Sequence, residues 1–114
     1  MNGWIRLGEV AHARSGDKGN HANIGVIAYT AAGYEYLQSA LTSELVAQHF
    51  AAWTPRGVDR FLLPGIGAMN FVLYDILAGG ASRSLRTDTQ GKVLAPSLLS
   101  LWLPEPTEMA TMRK

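Results

Sequence analysis

Two polar, glycine-rich segments carry the side chains of this chain that are best suited to bind an anion. The first spans residues 14–20 and reads RSGDKGN. Its glycines permit positive φ, so successive N–H groups can converge on one anion, and its arginine and lysine add positive charge. The alternative is a tight turn in which the aspartate pairs with a neighbouring cation. We predict ligand-binding roles in this segment for Arg14, Ser15, Gly16, Asp17, Lys18 and Asn20.

The second segment spans residues 79–92 and reads GGASRSLRTDTQGK, with three cations against one acid. Connections this long are uncommon in a compact domain and are often functional. We predict that Ser84, Arg86 and Lys92 bind the ligand, whereas the alternative is a solvated crossover in which Arg86 pairs with Asp88. If the fold brings the two segments together, they form a single cationic site.

Catalytic and metal-binding patterns are weak in the first segment. Asp17 is its only candidate general base. Ser15 and Lys18 have Ser-x-x-Lys spacing, but a nucleophilic pair of this kind needs a helix, and the intervening glycines oppose one. His12 and His21 flank the segment at spacings that fit no common metal site. We therefore expect no metal, and the sequence leaves open whether the chain is an enzyme.

Composition limits the classes of protein to consider. The chain has 114 residues, which is typical of one domain, and its net charge of +1 is too small for a nucleic-acid footprint. It has no cysteine, which excludes disulfides and thiolate zinc sites. No apolar stretch is long enough to span a membrane, and the N-terminus does not have the pattern of a signal peptide. We expect a cytoplasmic protein without a membrane or nucleic-acid partner.

Apolar periodicity predicts the secondary structure. Alternation favours strands over 4–11, 22–29, 58–63 and 97–103. Helical spacing favours helices between 33 and 53, with Thr42 or Ser43 as a cap, and a longer helix over 66–78. This order predicts an α+β, two-layer sandwich of ferredoxin-like character, with about four strands and helices on one face. We expect the tail, residues 104–114, to be disordered.

Asn70 falls at the start of the predicted 66–78 helix, close to a glycine-rich stretch. An amide at that place can orient a ligand, or it can satisfy backbone groups of the preceding turn. We include Asn70 among the candidate ligand-binding residues. The last predicted strand is apolar on both faces, so we expect helices to cover one face and a partner subunit to cover the other.

Several blocks of the sequence resemble the C-terminal ferredoxin-like domain of the acyclic terpene utilisation protein A family. The resemblance covers about residues 5–103 and implies a single domain of that type over residues 1–103. In longer members this domain follows a large N-terminal domain, and the family is associated with the breakdown of acyclic terpenes through acyl-coenzyme A intermediates. The matching blocks are ARSGDKGN (13–20), ANIGV (22–26), LP (63–64), MNFVL (69–73), LAGG (77–80), SLR (84–86) and QGK (90–92).

Three functions are compatible with these observations. In the first, the chain is a small subunit or stand-alone domain that pairs with a larger family member or with itself. It then supports acyl-coenzyme A, terpenoid or small-acid catabolism through an anion site made by the two polar segments. In the second it is an independent, homo-oligomeric enzyme acting on an acyl thioester, and in the third a non-catalytic interaction module. We predict no cofactor, with acyl-coenzyme A as a candidate substrate.

Overall fold

The computed structural model of the chain describes residues 3–76 and 93–114. A four-stranded antiparallel sheet has the order β2-β3-β5-β4, and a separate two-stranded sheet pairs β1 with β6. The strands are β1 (Trp4–Arg6), β2 (Ala11–Lys18), β3 (His21–Ala28), β4 (Gly57–Leu63), β5 (Ala68–Tyr74) and β6 (Trp102–Pro104). The helices in the described residues are α1 (Ala31–Ala40), α2 (Ser43–His49) and α3 (Leu94–Leu99).

The core lies between the four-stranded sheet and the helices. Ile24 and Val26 of β3 are buried beside their partners Phe71 and Met69 of β5, because cross-strand partners share a face. Helix α1 packs against β3, α2 against β4 and α3 against β2. The buried residues of all these elements form one cluster. The prediction of an α+β, ferredoxin-like arrangement with helices on one face is confirmed.

The first polar segment is a β-hairpin rather than a loop. Residues 11–18 pair in register with residues 21–28, which leaves Gly19 and Asn20 as the two-residue turn. Gly19 has a φ of 62°, a conformation that glycine adopts without steric cost. Extended residues point successive N–H groups in alternate directions, so strand residues 14–18 do not form part of the converging anion nest expected over residues 14–20.

The predicted helix over 66–78 is wrong, because residues 68–74 form strand β5. Met69, Phe71 and Leu73 are buried, whereas Asn70 and Val72 between them are half-buried. This period of two, together with pairing to β3 on one side and β4 on the other, favours a strand. A 3-10 turn (Pro64–Ile66) and Gly67, with a φ of 62°, connect β4 to β5.

The end of the chain also differs from the sequence prediction. Instead of a strand over 97–103, residues 94–99 are helical, since Leu94, Ala95 and Leu98 fall on one buried helical face. The predicted strand 4–11 is interrupted by a 3-10 turn at Leu7–Glu9. In place of the expected disordered tail, a 3-10 turn (Met109–Thr111) packs Met109 into the core, where its side chain is sheltered from water.

Side-chain hydrogen bonds fix the ends of α1 and α2. Thr30 accepts from the N–H of Gly33 at 3.0 Å, and Thr42 accepts from the N–H of Leu45 at 3.1 Å, which confirms the predicted cap. At the C-terminal end of α1, Arg60 of β4 donates to the carbonyl oxygens of Gln38 and Leu41, both at 2.8 Å. Within the described residues, no helix has the length and apolar character needed to cross a bilayer.

Candidate functional site

All helices of the described residues pack on one face of the four-stranded sheet, and several predicted residues come together on the opposite face, which we call the open face. Arg14 of β2 pairs with Gly25 of β3, and Gly25 pairs with Asn70 of β5. These three positions therefore form one row across the sheet, with a glycine in its centre. Because Gly25 has no side chain, Arg14 and Asn70 lie on either side of a gap in the surface.

Two asparagine amides meet beside this row. Asn23 of β3 donates through Nδ2 to Oδ1 of Asn70 at 3.4 Å, a long hydrogen bond between residues 47 positions apart. Gly16 makes room for this contact, since a Cβ at that position would lie 2.9 Å from Oδ1 of Asn23. Each asparagine amide carries two N–H donors, so within the described residues this bond leaves donors available to an acceptor.

A pocket of about 410 Å³ contains the two asparagines. Its walls also include Asp17 and His21, which flank the β2–β3 turn, together with Ala22 and Val72. The pocket therefore combines two asparagine amides with an imidazole, and Asp17 borders it. Because an amide offers both donors and an acceptor, such a set can bind a ligand that has both an acceptor oxygen and a donor group.

The imidazole of His21 is held by the end of β5. The backbone N–H of Asp75 donates to Nδ1 of His21 at 2.9 Å, and the Tyr74 ring lies edge-on to the imidazole with 5.4 Å between centroids. The Asp75 carboxylate lies 3.6 Å from the same Nδ1 and accepts from Nε of Arg56 at 2.5 Å. Asp75 has a φ of 57°, a left-handed conformation that is unusual for a residue other than glycine.

Tyr74 is tied to the neighbouring edge strand. Its hydroxyl donates to the Asp59 carboxylate at 3.0 Å. This hydrogen bond, helped by partial desolvation, raises the pKa of the Tyr74 phenol above its ordinary value. Tyr74 therefore stays a neutral donor in the physiological range, and its ring remains fixed against His21.

The other predicted site residues are not all part of this pocket. Ser15 pairs with Ile24 in the register and so falls on the helix-covered side of β2. The backbone of Lys18 pairs with His21, and Asn20 occupies the turn. Ser84, Arg86 and Lys92 lie outside the described residues, so the expected meeting of the two polar segments stays a prediction.

Asn23 and His21 were missing from the predicted binding residues. Strand alternation over residues 22–29 already places Asn23 opposite the apolar face and next to Gly25, which is the signal that could have identified it. His21 had no such signal, because its contact with Asp75 joins residues that are far apart in the chain. Among the described residues no cluster of three or more His, Asp or Glu side chains could hold a metal ion.

A larger pocket of about 530 Å³ lies at the other end of the sheet, between the start of α1 and the 3-10 turn before β5. Tyr34 is part of its wall, and within the described residues the buried Tyr34 hydroxyl has no hydrogen-bond partner. Apart from its tyrosines, the described lining of this larger pocket has one ionisable side chain, Glu35. We regard the open-face pocket as the better candidate site, because there polar groups from three strands converge.

Comparisons with known proteins give one match. A family model described as the AtuA ferredoxin-like domain matches residues 5–104. Searches of curated proteins and of solved structures gave no match. The family match covers both strands of the hairpin and the strand that bears Asn70, and it spans nearly all of the 114 residues. This chain therefore belongs to the AtuA ferredoxin-like domain family.

Proposed function

We propose that this domain binds the anionic or thioester end of a small acid or acyl-coenzyme A on the open face of its sheet. The observation that carries the proposal is the meeting of the Asn23 and Asn70 amides in a pocket. Their free N–H groups suit a carboxylate, phosphate or thioester carbonyl oxygen, because amide donors bind such acceptors without requiring a full counter-charge.

Charge on the open face supports an anionic ligand. Arg14 lies in the same row as Asn70, is exposed, and makes no ion pair within the described part of the chain. A guanidinium in this position can bind a carboxylate or phosphate in a bidentate manner. The asparagine amides of the pocket also contain acceptor oxygens, so the preferred ligand also carries a hydroxyl or amide donor, as coenzyme A and hydroxy acids do.

We also propose a metabolic role for this binding. We infer that the domain supports acyl-coenzyme A or small-acid catabolism, because the family resemblance connects it with acyl-coenzyme A intermediates. No cofactor is needed for this role. Asp17 is the candidate general base if the domain also carries out chemistry, since it is the acidic residue that borders the pocket.

Ligand binding is tested by thermal shift and calorimetry with acetyl-coenzyme A, coenzyme A, acetate and inorganic phosphate. A ligand at 100 times its dissociation constant should stabilise the wild-type chain by about 2.7 kcal/mol. Asn70→Ala should weaken binding by about tenfold, which corresponds to the loss of one good hydrogen bond. The control Gln48→Ala alters an exposed residue of α2 and should bind as the wild type does. Absence of a shift with all four ligands would contradict the proposal.

Edge strand β4 favours a second role, pairing with a second copy of the chain. Phe61 and Leu63 are 49 % and 44 % exposed, and among the strands of the described residues β4 is the last in the sheet order. Unpaired edges with exposed apolar side chains are sites for adding another strand. A second β4 strand related by a two-fold axis provides a complementary antiparallel edge, so no other chain is required.

Sedimentation analysis tests this second role. The wild type should be dimeric, and Phe61→Lys should shift it towards the monomer. Val93→Lys changes an exposed apolar residue away from β4 and serves as the control. A monomeric wild type would contradict self-pairing, and a larger partner chain would then be the occupant to seek.

A further inference from the structure

We infer that His21 is a fixed hydrogen-bond donor of the open-face pocket, presenting Nε2–H to an anionic oxygen of the ligand. The inference rests on the proposed function, which supplies the ligand. It adds a specific atom, a protonation state and an acceptor class, namely a carboxylate or phosphate oxygen. It also assigns a role to a residue whose spacing in the sequence carries no recognisable motif.

The tautomer follows from one hydrogen bond. The backbone N–H of Asp75 lies 2.9 Å from Nδ1 of His21, and a backbone N–H can only donate. Nδ1 must therefore accept, so it carries no proton in the neutral ring. A neutral imidazole with an unprotonated Nδ1 bears its proton on Nε2.

The surroundings of the ring keep it in one orientation. Asp75 holds its N–H against the ring from a left-handed backbone conformation, with a φ of 57°. Aspartate adopts this conformation more readily than most residues other than glycine, and neighbouring contacts hold Asp75 in it. Here the Arg56 guanidinium binds the Asp75 carboxylate, and Tyr74 packs edge-on against the imidazole. A ring held in this way is preorganised for its ligand.

The ring remains accessible from the pocket. The side chain of His21 is 41 % exposed and lines the same pocket as Asn23 and Asn70. The charged and titratable groups around it are the Asp75 carboxylate, Arg56, the Tyr74 phenol and Asp17. Because Nδ1 accepts from Asp75, Nε2 is the ring nitrogen without a hydrogen-bond partner in the part of the chain that the structure describes. His21 therefore acts as a neutral donor in the pocket, and Nδ1 does not serve as a base or a metal ligand.

Nitrogen NMR of the imidazole tests the tautomer without any ligand. The spectrum is recorded on the wild-type chain at about pH 8.5, where an ordinary imidazole is neutral. The expected result is a protonated Nε2 and an unprotonated Nδ1. A proton on Nδ1, or an equal mixture of the two tautomers, would overturn the inference whether or not the chain binds anions.

Two substitutions separate the roles of the two ring nitrogens. His21→Asn retains an acceptor close to the position of Nδ1 for the Asp75 N–H but lacks a donor at Nε2. His21→Gln places its amide donor close to the position of Nε2. With inorganic phosphate and acetyl-coenzyme A as probes, we expect His21→Asn to bind at least tenfold more weakly while its melting temperature changes little. His21→Gln should bind within roughly threefold of the wild type.

The outcomes distinguish this inference from the proposed function. Equal binding by the wild type and His21→Asn would overturn the donor role and leave the proposed site intact. Equal losses in His21→Asn and His21→Gln would also overturn it, because the loss would then reflect the shape of the ring. No binding of either probe by the wild type would overturn the proposed function and the ligand contact, whereas the ligand-free tautomer would stand as measured.

Discussion

The two faces of the four-stranded sheet are formed by the same strands but contain different chemistry. On the helix-covered face, Ile24, Phe71 and Leu73 are fully buried. On the open face, the alternate positions of those strands carry Asn23, Gly25 and Asn70. Apolar burial supplies most of the stability of a domain, whereas small and polar residues leave space and donors for a ligand. Alternate residues of the same strands thus stabilise the fold on one face and are available for binding on the other.

The two faces should differ most in the stability that is lost when one residue of β5 is truncated on each face. Phe71→Ala removes a fully buried ring and should lower the free energy of unfolding by about 3–5 kcal/mol. Val72→Ala changes the adjacent, half-buried position on the open face and should cost clearly less. Urea denaturation measures both values. Similar losses would show that the open face also belongs to the core.

A second prediction concerns the C-terminal 3-10 turn, which extends the helix-covered side. Met109 is only 7 % exposed and belongs to the core cluster, so Met109→Ala should destabilise the domain by about 2–5 kcal/mol. Thr107→Ala, at an exposed position in the same segment, is the matched control. If both variants unfold at the urea concentration of the wild type, the tail contributes nothing to stability, and the prediction of a disordered tail over residues 104–114 holds.

Gly16→Ala should affect binding more than stability. The added Cβ would lie 2.9 Å from Oδ1 of Asn23, so the Asn23 amide must shift or rotate, which changes its geometry towards Asn70. The backbone tolerates alanine here, because Gly16 does not have a positive φ, and we expect stability to change by less than about 1 kcal/mol. Affinity for the ligand identified in the binding assays should fall about tenfold.

Gly57→Ala is the control for that experiment, since a Cβ at Gly57 meets no atom within 4 Å. It should leave both stability and affinity close to the wild-type values. A Gly16→Ala variant that binds normally would show that the Asn23–Asn70 contact is not part of the site. A strongly destabilised variant would instead show that the open face resists even a methyl group.

Local patterns predicted the strands that have one clear period. The strand predicted over residues 22–29 is present at residues 21–28, because Ile24, Val26 and Ala28 alternate with residues of the other face. Over residues 66–78 two periods compete. Met69, Leu73 and Ile76 fit a helix, and Met69, Phe71 and Leu73 fit a strand equally well. Pairing with β3 and β4 decides between them, and those contacts are not local in sequence.

The candidate site could be predicted only in part for the same reason. Arg14, Gly16, Asp17 and Asn70 were selected from their residue types, and the structure places them on or next to the open face. Their arrangement depends on the strand register, which composition and spacing do not determine. His21 illustrates this most clearly, since its partner Asp75 follows the strand that was predicted to be a helix.

The smallest expected effect is on stability at alkaline pH, where a tyrosine of the helix layer can be compared with one on the sheet. Burial raises the pKa of the Tyr36 phenol, whose hydroxyl donates to the carbonyl oxygen of Pro104, and the bond to Asp59 raises that of Tyr74. Folding therefore favours both neutral phenols. The resulting stability is fully present below the ordinary pKa of 10.0 and is lost as the pH rises through the higher folded values.

Urea denaturation at a series of pH values from neutrality to about pH 11.5 measures this loss. Tyr36→Phe should cost about 1 kcal/mol at neutral pH, because it removes the bond to Pro104, and should flatten the alkaline decline. Tyr74→Phe should lower the free energy of unfolding less at neutral pH, because its partner Asp59 is exposed and water can hydrate the carboxylate instead. If Tyr74→Phe removes more of the alkaline decline than Tyr36→Phe does, pH-dependent stability resides mainly on the open face, and the division between a stabilising face and a binding face fails.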